Sequence, residues 1–215
     1  MQNSSTIFGA GILALVLLFG GNAVALDTAV AGAVAGAVSG SYRNDRTHSS
    51  LVWKVMHKGL SKYTARFVDF EATLEFDADD PTKSQLRVVV DPASVRTDYP
   101  SGQNYKFAKD EDFDAALAGK NWFNSADFAE ITFTATQIER LDQTSGHVRG
   151  DLKFLGVSKP VVLNVTLNGA KAKALGFSGH TTIKRSDFGL SRYVPMIADE
   201  VEIALEVEFY LVDQE

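Results

Sequence analysis

The stretch Gly150-Asp151-Leu152-Lys153-Phe154-Leu155-Gly156-Val157-Ser158-Lys159-Pro160-Val161-Val162-Leu163-Asn164-Val165-Thr166-Leu167 decides the fold class. It reads as two strands joined by a tight turn. The second arm alternates: Val161, Leu163, Val165 and Leu167 fall on one face, Val162, Asn164 and Thr166 on the other. A period of two is that of a strand with one buried face. Between the arms, Gly156-Val157-Ser158-Lys159-Pro160 is read as the turn. Its glycine allows an unusual φ, and its proline ends pairing where the next strand begins.

The same design recurs on both sides. Downstream, Val201, Ile203, Leu205, Val207 and Phe209 face one way, while Glu202, Ala204, Glu206, Glu208 and Tyr210 face the other. The glutamates need water, so the opposite face is buried, as in a sheet wall. Upstream, Ile131, Phe133 and Ala135 alternate with threonines, and Leu86, Val88 and Val90 form another inward set. Phe70, Ala72, Leu74 and Phe76 alternate with Glu71, Thr73 and Glu75, and Leu51, Trp53, Val55 and His57 share a face. Eight strands are predicted, near 47–57, 63–76, 84–91, 131–139, 147–155, 161–168, 177–184 and 200–210. One helical insertion is predicted over Asn104 to Leu117, with Gly119 just past its end. Trp122-Phe123 follows in a loop or short turn. Antiparallel strands with one wet face build either a two-sheet sandwich or a barrel, and the pattern alone leaves both open. Closure at eight strands leaves room for side chains or for one slender ligand.

The N-terminus gives an address. Ile7 to Phe19 is an apolar run of thirteen residues, short against the roughly 20 that a membrane span needs. Ala23-Val24-Ala25 then offers a small-x-small cleavage site. Residues 1–25 therefore read as a secretory signal peptide, although Met1 to Thr6 contains no Lys or Arg. Residues 26–40 are an Ala/Gly/Val-rich linker, and 41–215 form the folded domain. The 215-residue chain carries a formal net charge of −6, which provides no basic field for nucleic acid. It contains no cysteine, which excludes disulfides, thiol catalysis and thiolate metal sites.

Catalytic signals are sparse. His48, His57, His147 and His180 stand at no metal-ligand spacing, and no G-x-S-x-G, GxGxxG or Walker loop occurs. His57 shares parity with Leu51 and Val55, so it is either a satisfied wall histidine or a polar group meeting a ligand. Asp45-Arg46-Thr47-His48-Ser49 reads as a local hydrogen-bond network. In Lys184-Arg185-Ser186-Asp187-Phe188-Gly189, Arg185 pairs with Asp187 or caps a turn, and Gly189 takes a positive φ. The other reading places Arg185 at a cavity mouth against an anionic head group. Phe67, Phe70, Phe76, Phe133, Phe154, Phe177, Phe188 and Phe209, with Trp53, lie on or beside strands. They form a core, or line a lumen suited to a long apolar chain.

Several motifs, in order, carry a family resemblance. They are Tyr42-x-x-Asp45-x-x-His48-Ser49, Trp53-x-Val55-x-His57, Arg66-Phe67, Trp122-Phe123-Asn124 and Asp127-Phe128-Ala129-Glu130-Ile131-Thr132-Phe133. Gly150-Asp151-Leu152, Gly156 to Val161, Arg185-Ser186-Asp187-Phe188-Gly189 and Asp199-Glu200-Val201 follow. The chain resembles the YceI-like family of periplasmic, lipocalin-like, polyisoprenoid-binding proteins over roughly residues 42 to 210. Ala65 departs from the glycine of the family's Gly-x-Phe motif, and Ala129 from a proline. The resemblance implies an all-β fold with a helical insertion: an extended eight-stranded antiparallel lipocalin-like barrel whose lumen holds a long-chain isoprenoid.

The expected function is therefore a periplasmic carrier of an isoprenoid lipid of the quinone or polyprenyl phosphate type, without cofactor, metal or catalytic residue. Expected ligand contacts are Trp53, His57, Phe67, Phe133, Phe154, Arg185 and Phe188. A homodimer and a transient membrane contact are both compatible with such a carrier. An enzyme acting on such a lipid, and an interaction protein whose barrel is filled by its own side chains, are the alternatives.

Overall fold

The computed structural model describes residues 34–100 and 111–212. Its strands are β1 (Gly40–Asn44), β2 (Ser50–His57), β3 (Ser61–Phe67), β4 (Phe70–Phe76), β5 (Gln85–Val90), β6 (Val95–Arg96), β7 (Ile131–Arg140), β8 (Ser145–Phe154), β9 (Val157–Lys171), β10 (Ala174–Lys184) and β11 (Ile197–Leu211). The single α-helix among the described residues is α1 (Phe113–Ala118). No helix there is long and apolar enough to cross a membrane.

All ladders among the described residues are antiparallel, and β1-β4-β5-β7-β8-β9-β10-β11 closes on itself because β11 also pairs with β1. The result is a closed eight-stranded barrel, which settles the choice between barrel and sandwich. β1 and β2 are successive halves of one long arm, and β3 and β4 of its partner. Tyr42 pairs with Leu74 and Leu51 with Phe67, so the register between the arms shifts by two residues at the break. That break divides the barrel along its axis. β1 and β4 belong to one end, while β2, β3 and the short β6 extend the other.

The hairpin between β8 and β9 turns more tightly than the sequence pattern predicts. Phe154 pairs directly with Val157, and the turn is Leu155-Gly156, with φ 49° and 77°. Two successive positive φ values are the primed geometry that matches strand twist. Val157 to Pro160 are therefore strand, and the predicted five-residue turn is corrected. Pro160 is tolerated because the β9–β10 ladder stops at Asn164↔His180. Among the described residues, 157–163 thus pair with β8 on one side only, and proline in a sheet is confined to such edges.

The helical insertion is also corrected. α1 begins at Phe113, with residues 111 and 112 outside it, and residues 104–110 of the predicted span lie outside the described residues. The Asp112 carboxylate accepts from the Ala115 N–H at 2.9 Å as N-cap. Asp114 accepts from both the N–H and hydroxyl of Thr97, at 2.9 and 2.6 Å, fastening the helix beside β6. The expected signal peptide lies outside the described residues, as does the expected linker up to residue 33.

Candidate functional site

The barrel is filled at one end and hollow at the other. At the filled end Tyr42 and Leu175 are each 1 % exposed. The Tyr42 and Phe76 rings meet edge-on at 6.0 Å, and those of Phe177 and Phe209 at 6.1 Å. The Tyr42 hydroxyl donates to the Val38 carbonyl at 2.7 Å. Toward the other end the inward face opens. Along β11, Phe209 and Val207 are buried, but Leu205, Ile203 and Val201 are only half-buried. Ile131, Phe133, Leu152 and Ile183 are half-buried in the same way. All seven of these half-buried residues line one cavity of about 400 Å³. That volume lies within the ~300–1,000 Å³ of small-molecule sites.

Aromatic residues from the insertion cap this cavity. Phe123 is held by its N–H, which donates to the Leu117 carbonyl at 2.9 Å. Its ring centroid lies 5.4 Å from Phe67, 6.0 Å from Trp53 and 6.0 Å from Phe154. Phe113 packs on Tyr63 at 6.0 Å and on Tyr99 at 5.0 Å. These separations are those of favourable aromatic pairs. Phe123, Phe113, Tyr63, Tyr99 and Trp122 all line the cavity, and none was among the expected contacts. The signal was present in Trp122-Phe123, but a loop has no periodicity to say which way its side chains point.

Six of the seven expected contacts reach the lumen: Trp53, His57, Phe67, Phe133, Phe154 and Arg185. Phe188 does not. It is 2 % exposed and packs behind Phe154 at 5.8 Å, so its place on the wall is corrected to one of support. Phe70, Phe76, Phe177 and Phe209 are likewise absent from the cavity lining.

His57 closes β2 opposite Ile197, is exposed, and makes no side-chain hydrogen bond among the described residues. It is therefore not a satisfied wall histidine; it marks where the lumen reaches the surface. The other three histidines do not line the cavity. His48 Nδ1 lies 2.7 Å from Asp45 Oδ2, and Thr47 bonds the same carboxylate. This is the local network expected there. It holds the Asp45 carboxyl well below the usual range and raises the His48 pKa, the Asp45 hydrogen bond being the main cause.

Arg185 is 4 % exposed. Its Nε, Nη1 and Nη2 donate to the carbonyls of Ala198, Leu190 and Ile197 at 2.9, 2.8 and 2.9 Å. The expected pairing with Asp187 is replaced by these bonds. Asp199, which accepts from Ser186 N–H and Oγ at 2.9 and 2.6 Å, is the charged neighbour. Burial lowers the Arg185 pKa and Asp199 opposes the shift. The guanidinium thus ties the 190–198 segment to the barrel wall, and of its five N–H groups three are spent. Gly189 takes φ 85°, as the sequence predicts.

The remaining polar side chains on the lumen wall are few: Thr181, the Tyr63 and Tyr99 hydroxyls and the Trp53 and Trp122 indoles. Tyr63 donates to the Thr97 carbonyl at 3.4 Å. Trp53 Nε1 is the one buried side-chain nitrogen or oxygen without a partner among the described residues. Such a wall is overwhelmingly apolar. Among the described residues no group of three His, Asp or Glu side chains is placed to hold a metal.

Comparison with known proteins agrees with this architecture. A UPF0312 protein of Pseudomonas fluorescens is 29% identical over 192 residues, covering 86% of this chain and 94% of its own. The crystal structure of the Campylobacter jejuni YCEI protein superposes with a TM-score of 0.61 at 30% identity, covering 74% of this chain and 91% of its own. A polyisoprenoid binding domain from Saccharophagus degradans shares the fold, with a TM-score of 0.58 at 16% identity and coverage of 80% and 98%. The family model of the YceI-like domain matches residues 42–209, and the chain belongs to the YceI-like domain family.

Proposed function

We propose that this protein binds and carries a long-chain isoprenoid lipid of the quinone or polyprenyl phosphate type, with the tail in the hollow half of the barrel. The observation that carries this reading is the gradient along β11. Inward residues are buried at the filled end and half-buried where they line the cavity. A barrel filled by its own side chains would bury both halves alike. Burying about 400 Å² of tail is worth roughly 10 kcal/mol gross at ~25 cal/mol/Å², against association costs of about 4–15 kcal/mol. Affinity of that kind needs no buried charge pair. The Saccharophagus domain of the same fold is described as polyisoprenoid-binding, which supports the ligand class. The apolar run Ile7–Phe19 and the Ala23-Val24-Ala25 site support export to the periplasm.

The test is solvent extraction of protein purified from the periplasm without detergent, followed by mass spectrometry. A near-stoichiometric isoprenoid is expected. An empty extract, with no thermal shift on adding isoprenoids, overturns the proposal.

A further inference from the structure

Two loops meet at the mouth of the lumen. One is the β2–β3 turn His57-Lys58-Gly59-Leu60-Ser61, the other Ser191-Arg192-Tyr193-Val194-Pro195-Met196 ahead of β11. The Lys58 N–H donates to the Met196 carbonyl at 2.7 Å, and at their bases His57 pairs with Ile197. Both of these paired residues line the cavity. The Tyr193 ring lies 6.0 Å from Trp122, also a cavity residue.

Among the described residues these loops expose several apolar side chains. Leu60 is 83% exposed, Tyr193 47%, Met196 46% and Val194 40%. Four of the nine exposed large hydrophobics among the described residues therefore sit in two short loops, which makes them a patch rather than scatter. The charge is also local. The chain as a whole is acidic, at −6, yet neither loop contains Asp or Glu, and they carry Lys58 and Arg192. Lys62, just beyond, is bonded to Glu202 at 2.5 Å. Glu111 and Lys120, of opposite charge, both line the shallow hollow beside Tyr193. Aliphatic tips, a tyrosine and basic side chains together are the composition of segments that seat in the headgroup layer of a bilayer.

We propose that these two loops dock the open end of the barrel onto an anionic lipid bilayer surface, so that a lipid passes between membrane and lumen without crossing water. The role of docking rests on the lipid-carrying reading above; the docking itself is measured separately. Leu60 and Met196 enter the acyl boundary, Tyr193 sits at the headgroups, and Lys58 and Arg192 meet lipid phosphates.

The experiment is flotation of the purified protein with vesicles of equal parts phosphatidylglycerol and phosphatidylcholine, and with pure phosphatidylcholine. The wild type is expected to float with the anionic vesicles and to release as salt rises. Leu60→Asp should weaken partitioning at least about tenfold. Lys58→Asn and Arg192→Gln should each weaken it about fivefold. All three side chains are on the surface, so melting temperatures should hold. No flotation of the wild type, or flotation of Leu60→Asp equal to it, overturns the proposal. So does a loss in Leu60→Asp that sedimentation traces to dissociation of a dimer. Solvent extraction of the floated protein separates the two readings. Flotation with an empty lumen defeats the carrier reading and leaves docking intact. A loaded lumen that never floats defeats docking alone.

Discussion

Truncating one leucine at each end of the barrel should give unequal costs. Leu175 lies on β10 at the filled end, opposite Phe209, and is 1 % exposed. Leu205 lies on β11 opposite Gly179, lines the cavity and is half-buried. Leu→Ala removes three carbons, worth about 2.4 kcal/mol at ~0.8 kcal/mol per buried methylene. At Leu175 a new void adds to this, for a total of about 3–5 kcal/mol. At Leu205 the void already exists and contacts are missing on the lumen side, so the cost is about 1 kcal/mol. The assay is urea unfolding of lipid-stripped protein followed by far-UV circular dichroism. With a slope of about 2 kcal/mol/M, the midpoints of the two variants should differ by about 1 M or more. Equal destabilisation would refute the division into filled and hollow halves. The order should reverse for ligand: Leu205→Ala weakens isoprenoid binding, whereas Leu175→Ala leaves it unchanged.

Other consequences can be checked independently. Arg185→Met strands three carbonyls and should cost about 3–5 kcal/mol in urea unfolding, with Arg185→Lys in between; a cost under about 1 kcal/mol would contradict the staple. A Cβ on Gly150 would lie 2.5 Å from the Thr134 carbonyl oxygen and 2.5 Å from Phe133 Cζ. Gly150→Ala should therefore destabilise by about 1–3 kcal/mol in thermal melts, and an unchanged melt would mean that the β7–β8 pair can spread. In an NMR titration His48 should lose its proton above the usual ~6.5, and Asp45→Asn should return it toward that value. By linkage, the raised His48 pKa stabilises the fold below that usual value and is lost as pH rises through the shifted one. The lowered Asp45 pKa stabilises above the usual carboxylate range and is lost as pH falls through its shifted value. Identical His48 titration in both proteins would show that the Asp45 contact is absent in solution.

The wall of the barrel was legible because each strand writes its own parity. Glu202, Glu206 and Glu208 have to face water whatever lies next door, and β11 follows from them alone. The division of the interior was not legible. Phe133 and Phe209 look alike in sequence, yet one lines the void and the other packs within the filled end. What separates them is height along the barrel axis, set by registers such as Val88↔Phe133 and Asn44↔Phe209 between strands far apart in the chain. Pro160 misled for a related reason, since only the absence of a β10 partner makes a mid-strand proline acceptable. The cap was missed because Phe123 is aimed by a backbone bond to Leu117, and such non-periodic geometry leaves no spacing to read.

The parting of β9 from β10 beyond Asn164 has a consequence for life in a crowded compartment. An open strand edge is a template for another chain, and closed barrels ordinarily have none. Here the exposed run Ser158-Lys159-Pro160 occupies the opened edge. It places a cation and a missing N–H donor where a foreign strand would have to pair. The barrel thereby keeps a seam in its wall while denying neighbouring molecules a ladder on which to polymerise.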